Sequence, residues 1–486
     1  MMKKISITLF IALTIASFVK AQNEIDALRY SQLNYYGTAR FMGLGGAYGA
    51  IGADFSSLSI NPAGIGLYRS SEFTFTPSLY KGGTSSKYNS TQRDDYRYNF
   101  NISNIGIVLN AETNNNNLSE NKGWSNIQFG FGMNRINNFN NRMIAEGYNS
   151  ETSLMTDYID RANGYTPEDL FPFDTELAYE TYILDTADNS TTYTSPLKDG
   201  DVLQRKTVTT KGNMSEMVLS FGGNYNDKLY LGATIGFPCI YYKENSTYEE
   251  IDENEKIDNI KQYKLNEEIK TTGQGVNLKL GIIYKANDYV RLGIALHTPT
   301  FFTLEDSYSR DMKSELDQGP NAGIYSYKSP KGKYNYRIET PPRAIASLGF
   351  IIGKKGLISI DYEAVDLSES KLRSKDYNFF DENEAIRKKY TMQHNIRTGA
   401  EFNLNPIILR GGYTLSTSPF DDNINDATRN SYSFGIGLRE QGYFFDITYV
   451  FTESSEDYYL YTPTLVNPVE NNINTHNLLI TLGVKF

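Results

Sequence analysis

From Ser71 to the C-terminus, apolar and polar residues alternate with a period of two, the spacing of a strand with one apolar face. Phe73, Phe75, Pro77 and Leu79 make the first such face. In the second, Tyr98, Phe100 and Ile102 give way to Ile105, Ile107 and Leu109. That one-residue slip predicts a β-bulge at Ser103-Asn104. Further faces begin at Ile127, Met217, Leu229, Val276, Val290, Ala344, Ile358, Ile396, Leu409, Tyr432, Phe445 and Leu478. The pattern predicts about fourteen strands, an even number as a single-chain membrane barrel needs.

The connections sort into two classes. Asn226-Asp227, Ala286-Asn287-Asp288, Gly353-Lys354-Lys355, Leu404-Asn405-Pro406 and Glu440-Gln441 read as tight turns, with Asn114 to Asn117 a polar turn on the same side. Between them lie polar stretches around 81–96, 137–212, 244–272, 302–337, 369–391, 419–428 and 456–472. A soluble sandwich also alternates, but it does not sort its connections so regularly. Short periplasmic turns and long outer loops are the asymmetry of an outer-membrane barrel, with both termini expected on the periplasmic side. The 137–212 stretch reads as partly helical. Thr166-Pro167-Glu168-Asp169 has the form of a helix start, and Leu154, Tyr158 and Ile159, like Leu177, Ala178, Tyr182 and Ile183, have helical spacing. Two readings stand for it: a loop packing on itself, or an apolar catch surface at the barrel mouth.

Residues before Ser71 have another texture. Lys3 and Lys4, the apolar run Ile5 to Val19, and Val19-Lys20-Ala21 read as a cleavable secretory signal over 1–21. Asp26 to Ser31 fits a short helical turn. Gly43, Gly45, Gly46, Gly49 and Gly52 then follow closely, and Asn61-Pro62 is a turn-starting pair. Residues 22–70 are expected to form a compact plug, the hatch, in the lumen of a barrel over 71–486.

Composition removes several function classes. The chain has 486 residues, 13% of them aromatic, and a net charge of -10. Nucleic-acid binding calls for a basic face, so it is not expected. Mean hydropathy is -0.47, and past the leader no apolar run approaches the ~20 residues of a spanning helix. A barrel strand needs only alternate apolar residues. The single cysteine, Cys239, has no partner for an internal disulfide. His297, His394 and His476 are the only histidines, on three separate strands and without metal-ligand spacing. No metal, cofactor or catalytic set is expected, and the same shortage weakens a barrel hydrolase. The acidic run Glu249-Glu250-Ile251-Asp252-Glu253 reads as solvated loop surface.

Parity assigns the polar strand positions. Where apolar residues face lipid, Lys279, Arg291, Asp361, Glu363, Arg397, Glu401, Arg410, Arg439 and Asp446 face the lumen. A Lys or Arg on the lipid face near the midplane costs about 2–4 kcal/mol, which supports that assignment. They are expected to form structural ion pairs tying strands to the plug. Among them Lys279, Arg291, Arg397, Glu401 and Arg410 are the candidate polar contacts for a ligand, an arginine fork suiting a carboxylate.

The stretch with Gly37, Ala39, Gly43, Gly46-Ala47, Asp54 and Asn61-Pro62-Ala63 resembles the hatch of the FadL-type outer-membrane transporters, a family that includes the toluene and xylene channels. Gly275 to Gly281 and Leu292 to Thr300 resemble strands of that family. The resemblance implies a fourteen-stranded barrel with an N-terminal hatch. It implies capture of hydrophobic molecules such as long-chain fatty acids at the outer mouth, passage past the hatch, and release through the wall into membrane lipid. Asn61, Pro62 and Ala63, with Gly43 and Gly46, would then line the gate. The final Phe486 resembles the signal read by the barrel assembly machinery. An alternative is a membrane-anchored barrel acting as an adaptor in secretion or surface-protein assembly.

Overall fold

The computed structural model describes residues 24–112, 123–187, 191–421 and 425–486. The expected leader over 1–21 and the Asn114 to Asn117 turn lie outside the described residues. Fourteen antiparallel strands make one wall. They are β1 (Glu72–Tyr88), β2 (Thr91–Glu112), β3 (Trp124–Asn138, resumed as Asn141–Asn149), β4 (Val202–Tyr225), β5 (Leu229–Ile251), β6 (Gln262–Lys285) and β7 (Val290–His297, resumed as Phe301–Leu316). Then come β8 (Gly332–Glu339, resumed as Arg343–Ile352), β9 (Gly356–Asp366), β10 (Met392–Asn403), β11 (Ile407–Ser416), β12 (Arg429–Arg439), β13 (Tyr443–Tyr458) and β14 (Val469–Lys485). β14 returns to β1 from Glu72↔Lys485 to Lys87↔Glu470 and closes the barrel. Ser103 is the extra residue where Thr76↔Asn104 passes to Pro77↔Ile102, so the bulge falls where the slip in alternation put it.

Side chains alternate across this wall as the pleat requires. Phe131, Phe221, Leu280, Ile294 and Phe434 are exposed on the outside, among many others, while Thr74, Ser220, Thr234, Ser359 and Thr481 are buried inside. Tyr and Trp residues flank the apolar belt at both rims, Trp124, Tyr225 and Tyr443 toward the turns and Tyr96, Tyr98 and Tyr432 toward the long connections. No helix among the described residues is long and apolar enough to cross a membrane.

The long connections are mostly not loops. Stretches 81–96, 244–272 and 302–337 continue largely as strand, and β4, β5 and β6 run to 23 or 24 residues. Above the belt the outer face need not be apolar, so alternation fades there while backbone pairing continues. The 137–212 stretch holds the second half of β3, then the two-turn helix Leu154–Ala162 and the short helix Thr175–Glu180. At Thr166 only a three-residue 3-10 turn forms, without a side-chain cap. Tyr182 and Ile183 lie past the end of the second helix.

These helices share a buried cluster with Tyr88, Tyr248, Tyr263, Leu265 and Met312 from the wall and with Leu460 from the connection after β13. The stretch therefore packs as a cap with its own core. Glu250 anchors it, which corrects its reading as solvated surface. Its carboxylate accepts from Leu154 N (3.0 Å), Gln204 Nε2 (3.0 Å), Tyr248 OH (2.6 Å) and Ser153 Oγ. Burial raises its pKa above the usual carboxylate range.

Candidate functional site

The N-terminal segment lies inside the wall and crosses it from end to end. It comprises α1 (Glu24–Ser31), α2 (Ala39–Gly43) and 3-10 turns at Phe55–Ser59 and Pro62–Leu67. Thr38 caps α2 by accepting from Phe41 N, and Asn61 caps the last turn by accepting from Ala63 N. α1 sits among the long connections, where Glu24 pairs with Lys389 of the helix Phe380–Lys389. Arg69 reaches Asp227 in a tight turn at the opposite end. Phe486 lies at that turn end too, its N–H donating to Ser71 O (3.0 Å). The described chain thus starts at the far end from the one expected for the N-terminus.

Asn61, Pro62 and Ala63 are fully buried against β5 and β6. Asn61 Nδ2 donates to Gly49 O (2.6 Å) and to Ile282 O of β6 (3.2 Å). The wall makes room for them: a Cβ at Gly281 would lie 1.9 Å from Asn61 Oδ1. Gly43 packs on Arg410, and its carbonyl accepts from Ser433 Oγ (3.3 Å). Gly46 holds φ at +75°, open to glycine at little cost. Ala39 N donates to Thr481 Oγ1 (2.7 Å), and Ala39 O accepts from Thr448 Oγ1 (2.6 Å).

All nine charged positions assigned by parity face inward. Arg410 joins Glu401 (2.7 Å) and Asp446 (2.6 Å), and Arg439 also reaches Asp446 (3.0 Å). Arg397 and Arg343 share Glu363, each at 2.6 Å, and Lys279 pairs with Glu216. Buried charges survive because they are paired. Among the predicted positions Glu401 ties the wall to the segment by an ion pair with Arg40 (3.1 Å), and Asp361 does so by accepting from Gly49 N (2.9 Å). The other pairs join strand to strand, although Arg343 also donates to Ser31 O and Glu216 accepts from Ser59 Oγ (3.2 Å), and hydroxyl and amide groups add further bonds to the segment. Arg291 has a carbonyl instead, donating to Ile51 O (3.1 Å). Glu216 and Arg343 were missed, although both fall on inward positions. His297 Nε2 lies 2.8 Å from Ile60 O, so that nitrogen carries the proton. Among the described residues no group of three His, Cys, Asp or Glu could hold a metal ion.

A cavity of about 370 Å³ lies between the segment and the wall. Tyr35, Tyr36 and Met42 line it from the segment, and Tyr80, Arg397 and Arg429 from the wall. Buried polar atoms on its surface lack partners, notably Arg397 Nη1, Tyr35 OH, Asn141 Oδ1 and Asn477 Oδ1. One side of the cavity is Asn138 to Asn141, the interruption in β3.

There the wall itself is broken. The β2–β3 ladder ends at Asn104↔Asn134. Beyond it β2 pairs only with β1, while the resumed half of β3 pairs with β4. That half lies against the inner face, where a Cβ on Gly82 would meet Asn140 O at 2.5 Å. Two salt bridges span the gap, Arg93–Glu146 and Arg142–Asp95 (2.9 Å). From inside, Asn34 N donates to Ile136 O and Tyr36 N to Arg135 O, both at 2.9 Å. Asn137 Nδ2 donates to Gln32 O (3.1 Å). The segment therefore bonds directly to the inward bend of β3.

No protein-family model and no curated protein matches the chain. Solved structures do. The toluene transporter TodX of P. putida superposes with a TM-score of 0.55 at 11% identity, covering 92% of this chain and 98% of that one. A FadL homologue of Pseudomonas aeruginosa gives a TM-score of 0.53 at 11% identity, over 93% and 98%. At that identity the likeness establishes a shared fold.

Proposed function

We propose that the chain is an outer-membrane channel for passive uptake of hydrophobic compounds, long-chain fatty acids among them. The observation that carries this reading is the cavity, bounded on one side by the segment and on another by the break in β3. A small molecule leaving that cavity sideways passes Phe139 to Asn141 and meets membrane lipid. In this reading residues 22–70 are the hatch. Asn61-Pro62-Ala63, Gly43 and Gly46 belong to its fixed part, locked to β5, β6 and β10 to β13. Gln32 to Tyr36 belong to its mobile part, since their bonds to β3 line the route. The fold shared with channels for toluene and with a FadL homologue supports the assignment, as does the apolar belt with aromatic rims.

The cavity also bears on substrate. Its wall mixes tyrosines with Ser, Thr and Asn, and Arg397 offers an unpartnered N–H. A chain with a carboxylate head suits it better than a bare hydrocarbon. No covalent step and no cofactor enter this mechanism. The test is binding and vesicle uptake of labelled oleate and toluene by the purified full chain. Saturable oleate uptake that falls several-fold in R397Q is expected. No binding across a panel of fatty acids and aromatic hydrocarbons overturns the reading.

A further inference from the structure

The break between β2 and β3 carries a chemical feature that passage of apolar compounds does not require. By alternation Arg135 belongs to the lipid-facing set with Phe131 and Met133, yet it is only 8% exposed. The inward bend of β3 begins beside it, at the register shift between Arg135 and Asn137. Arg135 Nε donates to the carbonyl of Ile102 on β2, at 3.4 Å. Among the described residues no carboxylate lies within ion-pair distance of this guanidinium.

The rest of the break is polar, and the carboxylates at its edge, Asp95 and Glu146, are paired. Across the gap β2 turns Arg97, Asn99, Asn101 and Ser103 inward, and Arg97 Nε is buried without a partner. Asp95 is engaged by Arg142, and Glu146 by Arg93 with Arg205. On the lipid side of the same stretch, Tyr98 and Phe100 are 59% and 72% exposed. A guanidinium buried in the wall without a counter-ion is costly. A cation held without a counter-ion beside an exposed aromatic strip fits the two ends of an anionic amphiphile.

We propose that the wall break is a binding site for an anionic head group, a phosphate or carboxylate on a hydrocarbon chain. Arg135 holds the head group, Arg97 flanks it above, and the chain lies along Tyr98 and Phe100. This site is distinct from the cavity and stands whether or not the protein transports fatty acids, because it is read by binding alone.

The test titrates dodecyl phosphate and dodecanol into the purified full chain in neutral detergent. Wild-type protein is expected to bind the phosphate at least about tenfold more tightly than the alcohol, the gain of a charge-assisted fork. In an R397Q background, which removes the anion contact of the cavity, R135Q is expected to lose that preference and R97Q to reduce it. Folding of each variant is checked by heat-modifiable gel mobility. Equal affinity of wild-type protein for the two amphiphiles overturns the proposal, and so does a folded R135Q that binds dodecyl phosphate like wild type. Should R135Q not fold, R97Q in the R397Q background decides, an undiminished preference overturning the proposal. Native mass spectrometry then separates the sources. A lipid phosphate retained by wild-type protein and lost from R135Q identifies a resident membrane lipid. Dodecanoate bound with the same arginine dependence, without retained lipid, identifies a passenger. Either result supports the shared chemistry.

Discussion

Asn61 concentrates three roles in one side chain. Its oxygen caps Ala63 N (3.1 Å), and its nitrogen joins two carbonyls, one in the segment and one in β6. Truncation leaves buried groups unpaired, so N61A is expected to cost about 1–3 kcal/mol. The loss is read as a lower urea midpoint for the heat-modifiable band. Asn-Pro was visible in the sequence as a turn, and its burial was expected. What parity could not supply was partners. It put Lys279 and Glu363 inside correctly, but Glu216 and Arg343, which pair with them, share no motif with them. Arg135 escaped for a different reason. The register shift that follows it bends the strand inward, so a side chain with lipid-facing parity ends up buried.

At the scale of elements the alternating strands were legible because each stands between lipid and a polar lumen. Their outer extensions were not, because both faces there are wetted or covered by the cap, and the period-two signal disappears. Glu250 shows the consequence: an acidic run taken for surface contains the residue that seats the cap. It lies in the outer extension of β5, some twenty residues from the tight turn. Its folded pKa is raised, mainly by burial. The stabilisation is therefore complete below the ordinary carboxyl range and declines as pH rises through the raised folded value. Limited proteolysis of the 150–200 region is expected to be slower at pH 4 than at pH 8. In E250Q that dependence should vanish. Equal rates in wild-type protein at the two pH values contradict this.

For the whole molecule the belt sets the energetics. Ile294 points outward from β7, four residues above its turn, and I294K is expected to cost about 2–4 kcal/mol in vesicles, read from its denaturant midpoint. Strand number, the tight turns among the described residues and the bulge were legible, since period and parity depend only on local chemistry. The direction of the N-terminal segment was not, because nothing local records which end of a pore a plug enters. The two bonds of Ala39, to Thr448 and Thr481, carry a consequence for how the molecule is made. They join residues 409 and 442 apart in sequence, so they cannot form until nearly all of the chain has been delivered. β14, the last strand to emerge, closes the seam with β1 and completes the seat of Ala39 at once. The segment spans the full height of the pore with its bulk interlocked against wall glycines, so the wall closes around it in place of receiving it afterwards. Such late, long-range closure is slow and leaves open strand edges exposed meanwhile, which makes the final seam the step most in need of a folding catalyst.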